Sequence, residues 1–213
     1  MPAYRLTHIL WLTGIAAVSI ALCIFCRRKL VSHVAVRAVL ACGLATVEIV
    51  RSVQDGIRFP FHMPFNLCNV ASWATVLALA TLWTGAVEFA YFVGFSGAVM
   101  TLVQPDMGKA WPTAFFLNHG ATIVAVAVLA FGRIARIRRD AVWRSLAMLG
   151  IYAVIMGVFD RVYRTNYGYL RRKPEGVTLM SLMGPWPVYL VWVALLALGL
   201  FWLLWIPVRR EAL

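Results

Sequence analysis

Seven apolar runs divide the chain, each close to the roughly 20 residues that an α-helix needs to cross a bilayer. They run from His8 to Cys26, Ser32 to Val50, Leu67 to Trp83, Ala86 to Val103, Pro112 to Phe131, Val142 to Phe159 and Trp186 to Ile206. With 62% hydrophobic and only 13% charged residues among 213, the chain has too little polar matter to coat a soluble domain. The expected fold is all-α: a polytopic membrane protein, a single integral domain over residues 1–213 built as a bundle of about seven transmembrane helices. The first run has the length of a signal peptide, but no small-residue cleavage site precedes Arg27-Arg28-Lys29, so it is retained as a span. Only Thr84 and Gly85 join the third and fourth runs, which predicts a tight antiparallel hairpin.

The net charge of +12 would suggest nucleic acid in a soluble chain. Here the basic residues fall mostly between apolar runs, where they meet phospholipid headgroups, so membrane phospholipid and not nucleic acid is the expected partner. Seven spans put the termini on opposite sides. Setting aside Arg37, Arg51, Arg58, Arg161 and Arg164, which lie in or beside spans, the remaining basic residues favour the C-terminal side roughly two to one. The positive-inside rule then places the protein in the cell membrane with its N-terminus outside and its C-terminus in the cytoplasm.

Alternating spans decide which polar residues can meet. Asn66, Cys68, Asn69, Gln104, Asp106, Asn118, His119, Asp160, Arg164 and Asn166 all come to the end of the bundle that holds the N-terminus. Polar groups are costly in hydrocarbon unless they are paired or line a cavity, so this cluster is the candidate site. Cys68 opens the third span in the stretch PFHMPFNLCN, Pro60 to Asn69. A membrane cysteine is commonly a small core filler, but it becomes a nucleophile when a base reaches it. His119, beside Asn118 and at the same expected depth, is that base, with His62 in the preceding loop as its rival. His8 and His33 sit at span ends and are expected to be interfacial.

Glu48, Arg51, Asp55 and Arg58 stand at i, i+3, i+7 and i+10, one face of a helix continued beyond the second run. They form either a charge ladder locking that helix to its neighbours or a ladder with one Arg left to hold a phosphate, which the planar guanidinium suits. Asp160, Arg161 and Arg164 repeat the pattern and the ambiguity. Cys23 and Cys26 form a CxxC inside the first span with no second pair, and with Cys42 they are expected to be packing thiols. No P-loop, dinucleotide glycine pattern or HExxH is present, and no metal or cofactor is expected.

Several stretches carry a resemblance. MPFNLCN (Met63 to Asn69), LVQPDM (Leu102 to Met107), FFLNHG (Phe115 to Gly120), NYGYLRRKP (Asn166 to Pro174) and GPWPVYL (Gly184 to Leu190) resemble, in order and spacing, the YwaF-like family of bacterial integral membrane proteins. More distantly the chain is similar to a eukaryotic transmembrane acyltransferase family that remodels ether phospholipids. The resemblance implies a Cys nucleophile and a His partner, which fall on Cys68 and His119. Where bacterial relatives commonly carry a His, this chain has Asn66.

Two functions follow. In the first, an enzyme acts on phospholipid acyl esters: Cys68 attacks, His119 moves the proton, Asn69 or Asn118 steadies the oxyanion and Arg51 or Arg58 holds the headgroup phosphate. In the second, a transporter or receptor binds a small polar or anionic ligand in the same pocket. The Cys and His together favour the enzyme, and no broken helices in paired repeats favour transport.

Overall fold

The computed structural model describes residues 2–103, 112–174 and 178–210. Its order is α1 (Pro2–Arg27), α2 (His33–Asp55), α3 (Leu67–Thr81), α4 (Thr84–Phe89), a π-helical stretch (Ala90–Phe95), α5 (Ser96–Val103), α6 (Pro112–Phe131), α7 (Ala141–Tyr163) and α8 (Val188–Val208). α4, the π stretch and α5 form one rod. Six of the resulting helices are long and apolar enough to span a membrane, and among the described residues there is no strand. The third expected span, Leu67 to Trp83, is shorter than anticipated: α3 has 15 residues, about 22 Å at 1.5 Å per residue, and falls short of the ~30 Å hydrocarbon core.

Two rods form the centre. Of the most apolar window in the Thr84–Leu102 rod, and likewise in Thr113–Phe131, 67% is buried, against 11% in each of α1, α2, α7 and α8. The outer helices therefore turn apolar side chains such as Leu10, Val39, Ile155 and Leu203 away from the protein. In water such a surface would aggregate; against lipid it is the solvated face. With the long apolar helices, this exposed belt makes the chain a multi-pass membrane protein.

The joints have local causes. α3 ends because Leu82 turns left-handed (φ 56°) and its N–H bonds back to Ala78 O, so Leu82 and Trp83, rather than Thr84 and Gly85, make the hairpin turn. Arg37 of α2 donates from Nε to Leu79 O at 2.6 Å and from Nη2 to Ala80 O at 2.8 Å. This cationic cap satisfies carbonyls that the end of α3 leaves without intrahelical donors. α1 closes on α6 at Gly120, where a Cβ would lie 2.7 Å from Ile15 Cδ1, so any larger residue would require the Ile15 side chain to shift. His8 and His33, expected to be interfacial, tie elements together: their Nε2 atoms bond Leu102 O at 2.8 Å and Cys26 O at 3.0 Å.

The irregular segment 57–66 that precedes α3 is pinned from α7 and the turn after it. Tyr167 Oη donates to Pro60 O at 2.7 Å and accepts from Met63 N at 2.9 Å, while Tyr152 Oη donates to Phe65 O at 2.9 Å. Phe65 meets Phe159 edge-on, with ring centroids 5.5 Å apart. These contacts fix where α3 begins, and with it the position of Cys68.

Candidate functional site

Cys68 is the second residue of α3, and Asn66 at the N-cap makes no side-chain capping bond. The first N–H groups of a helix lack intrahelical acceptors, and its N-terminus carries partial positive charge. Thr101 on α5, whose hydroxyl donates to Gly97 O at 2.7 Å, lies near the thiol, as do Arg51 and Glu48.

His119 shares a cavity with Cys68. The cavity measures about 30 Å³ and is walled by α3, the π stretch, α5 and α6 through Cys68, Ser72, Gly94, Gly97, His119 and Thr122. That is room for one or two water molecules. His119 Nδ1 lies 2.9 Å from Phe115 O. A carbonyl only accepts, so Nδ1 holds the hydrogen and the neutral ring keeps its lone pair on Nε2. Nε2 is buried without a hydrogen-bond partner among the described residues, Cys68 Sγ included. A buried acceptor left open on a cavity that a thiol also lines is available to act as a general base.

The cavity walls explain their own sequence. At Gly97 a Cβ would meet nothing within 4 Å, so this side is open, whereas at Gly94 it would touch Ala71 Cβ at 3.6 Å and Thr122 Cγ2 at 3.7 Å. Gly94 belongs to the π stretch, a geometry that recurs at functional sites because it displaces a helix wall locally. Ser72 and Thr122 hydroxyls meet at 3.3 Å, and Thr122 donates to Asn118 O at 3.1 Å.

Behind this wall lies a carboxylate. Glu48 on α2 is fully buried and accepts from Asn69 Nδ2 at 3.0 Å and from Asn118 Nδ2 at 2.6 Å. It joins α2, α3 and α6 at one point. The expected four-residue ladder does not form: Gly56 (φ 71°) ends α2 after Asp55, so Arg58 leaves the helix, and Glu48 turns inward. Arg51 and Asp55 remain as an i,i+4 pair at 3.6 Å with side chains 29% and 64% exposed. Exposed Arg58 makes no ion pair among the described residues and takes part in a backbone bridge with His62.

The other expected members divide. Asp160 is fully buried, but its Oδ1 accepts from Thr165 Oγ1 at 2.6 Å and Tyr167 N at 2.8 Å, so it closes the C-terminal end of α7 and belongs to no ladder with Arg161 and Arg164. Arg164 is the exposed left-handed cap of α7 (φ 58°). Asn166 organises its own loop, accepting from Arg171 N and Arg172 N and donating to Arg172 O. Asn66 is exposed, as is the rival base His62. Gln104 and Asp106 lie outside the described residues.

Sequence reasoning missed three things near or opposite the site: Glu48 as the point where three helices meet, Thr101 beside the thiol, and Glu88. The last lies fully buried at the far end, bonded to Arg144 Nε at 2.9 Å and to Arg138 N at 3.3 Å. A carboxylate inside an apolar run is itself the signal for such a partner.

No curated protein and no solved structure shows a match to this chain. The TMEM164 family model matches residues 3–205. The match takes in all eight α-helices, apart from Pro2 of α1 and the last residues of α8, and includes Cys68 and His119. The chain belongs to the TMEM164 family, a family of transmembrane proteins.

Proposed function

We propose that this protein is a membrane-embedded thiol enzyme acting on phospholipid acyl esters, with Cys68 as nucleophile and His119 as base. The observation that carries this reading is the cavity shared by Cys68 and His119, with the buried, unpartnered Nε2 beside it. The resemblance of MPFNLCN and FFLNHG to the YwaF-like family, and more distantly to a transmembrane phospholipid acyltransferase family, supports the same pair.

In this mechanism His119 Nε2 takes the Cys68 proton while the sulfur adds to the ester carbonyl carbon. The oxyanion accepts hydrogen bonds from the first N–H groups of α3 or from Asn69 or Asn118, each of whose Nδ2 carries one hydrogen beyond that given to Glu48. The C–O bond then breaks, the departing lysophospholipid oxygen takes the proton from His119, and an acyl-thioester remains on Cys68. An alcohol, an amine or water next gives its proton to Nε2 and attacks the thioester, releasing the acyl product and restoring the thiol. Arg51, near the same end and only half-committed to exposed Asp55, holds the headgroup phosphate. The cavity accommodates water and not an acyl chain, so substrate enters as the side chains around Gly97 move apart. The reading also keeps the N-terminus outside, where a membrane phospholipid rather than a soluble acyl carrier is the donor.

Reconstituted protein should release or transfer acyl groups from phospholipid in liposomes, and Cys68→Ser should abolish this while leaving thermal unfolding unchanged. His119→Gln should lower turnover by about 10²- to 10⁴-fold, the usual worth of a general base. Full turnover by Cys68→Ser would reject the reading and leave ligand binding as the role of the pocket.

A further inference from the structure

The helices around Cys68 and His119 close on three sides of their cavity and part on the fourth. α3 packs along the π stretch, α5 packs along α6, and α6 packs back onto α3, but α3 and α5 share no comparable contact among the described residues. To the cavity lining α3 contributes Leu67 and Cys68, and α5 contributes Gly97 and Ala98. Of these four only Gly97 lacks a side chain, and a Cβ there would meet nothing within 4 Å. One turn earlier, at Gly94, a Cβ would touch Ala71 and Thr122, so the rod is packed at Gly94 and open at Gly97. The same cavity holds a group aimed at a ligand: His119 is 6% exposed, and its Nε2 has no hydrogen-bond partner among the described residues.

Depth indicates what the gap admits. Asn69 bonds to Glu48, so Cys68 stands level with Glu48, about two turns inward of Asp55 at the end of α2. At 1.5 Å per residue that is about 10 Å along the helix, more than the roughly 5–8 Å that headgroups occupy on each side of a ~30 Å hydrocarbon core. The thiol therefore lies at the edge of the hydrocarbon, where the esters of a phospholipid join its acyl chains. A water-borne acyl carrier would have to draw its chain across the headgroup layer to reach this depth. A bilayer lipid already has its ester there.

We propose that a bilayer phospholipid reaches Cys68 sideways, through the gap between α3 and α5, and that Gly97 determines which acyl chains pass. This rests on the ester chemistry proposed above and adds the route and the residue that sets selectivity. With its phosphate at Arg51, about one turn nearer the end of α2 than Glu48, the lipid brings only its ester linkage inward and leaves its chains in the bilayer. The bare backbone at Gly97 lets the start of the chain through, and a side chain there fills the opening.

The test uses full-length protein in liposomes with Cys23, Cys26 and Cys42 replaced by alanine, so that Cys68 is the remaining thiol. It is labelled with N-ethylmaleimide and, separately, with a phospholipid carrying the same maleimide in place of one acyl ester. Gly97→Leu should slow the lipid reagent about tenfold or more, as added methyl and methylene groups in a narrow apolar site do, and slow N-ethylmaleimide less than about twofold. Gly97→Ala should shift the ratio of the two rates in the same direction by less, which keeps the comparison if the leucine variant does not fold. Gly157→Leu, equally open on α7 and outside the cavity lining, should leave both rates unchanged. Equal slowing of both reagents by Gly97→Leu, or of neither, would overturn the inference. Acyl turnover by the parent protein is scored separately. Lipid-selective slowing with no turnover would reject the ester chemistry and keep the route, and turnover with no lipid-selective slowing would reject the route and keep the chemistry.

Discussion

Asn118 donates to Glu48 Oε1 at 2.6 Å, and this bond fixes α6 to α2 one residue from His119. Asn69, one residue from Cys68, donates to the other oxygen of the same carboxylate. The two candidate catalytic residues are thus held in register by neighbours that share one buried acceptor. Their spacing is a property of Glu48 as much as of their own helices.

Glu48→Gln should therefore be disproportionately harmful for so conservative a change. The amide keeps one acceptor but turns a donor toward Asn69 or Asn118, leaving a buried polar group unsatisfied at a cost of about 1–3 kcal/mol. Thermal unfolding in detergent should show a lower midpoint, and Cys68 reactivity should fall with it. An unchanged midpoint would mean that Glu48 does not join these helices.

Much of the fold was legible because hydropathy is local: the seven apolar runs follow from composition along the chain, and alternating spans account for Cys68 and His119 lining one cavity. The short α3 was less legible, because its apolar run continues into Trp83 and the left-handed turn at Leu82 has no glycine to mark it. The charge stripe misled for a different reason. Spacing at i, i+3 and i+7 shows which residues share a face, but not that a buried partner on another helix captures one of them. Gly56 did mark the end of α2, and read as a C-terminal helix signal it separates Arg58 from the stripe. Asp160 resembled a ladder residue because its acceptor role depends on how the turn after α7 folds the Thr165 hydroxyl and the Tyr167 N–H back onto it, which a sequence does not display.

Tyr167→Phe should loosen the segment before α3 without unfolding the bundle. It removes the bonds to Pro60 O and Met63 N, each worth about 0.5–1.5 kcal/mol. Amide hydrogen exchange over 57–66 should speed up while exchange in α6 stays unchanged. Equal exchange in both proteins would mean that the aromatic contacts alone hold the segment.

Arg51→Gln should cost little stability. Its pair with Asp55 is partly exposed, and such pairs contribute about 0.2–1 kcal/mol. Arg58→Gln should fall within about 0.5 kcal/mol of the parent protein, as is usual for surface changes. If Arg51 holds the headgroup, Arg51→Gln should raise KM for phospholipid and Arg58→Gln should not. Identical kinetics for both would remove the phosphate role from Arg51.

Orientation has its own test, a Lys173→Cys variant in a background without the four native cysteines. Lys173 is half-buried and its ammonium reaches Ser181 O at 3.4 Å, in the connection between α7 and α8 at the Cys68 end. A membrane-impermeant maleimide should label it on intact cells. Labelling only after the inner membrane is broken would invert the topology and bring soluble acyl carriers to the Cys68 end.

The acyl-thioester on Cys68 tests the central claim most directly. Protein mixed with phospholipid liposomes and quenched within a turnover should show, by intact-mass spectrometry, one added acyl group. Hydroxylamine should remove that group, peptide mapping should place it on Cys68 rather than Cys23, Cys26 or Cys42, and His119→Gln should slow its formation. Acyl turnover with no adduct, or an adduct that persists in Cys68→Ser, would contradict the account.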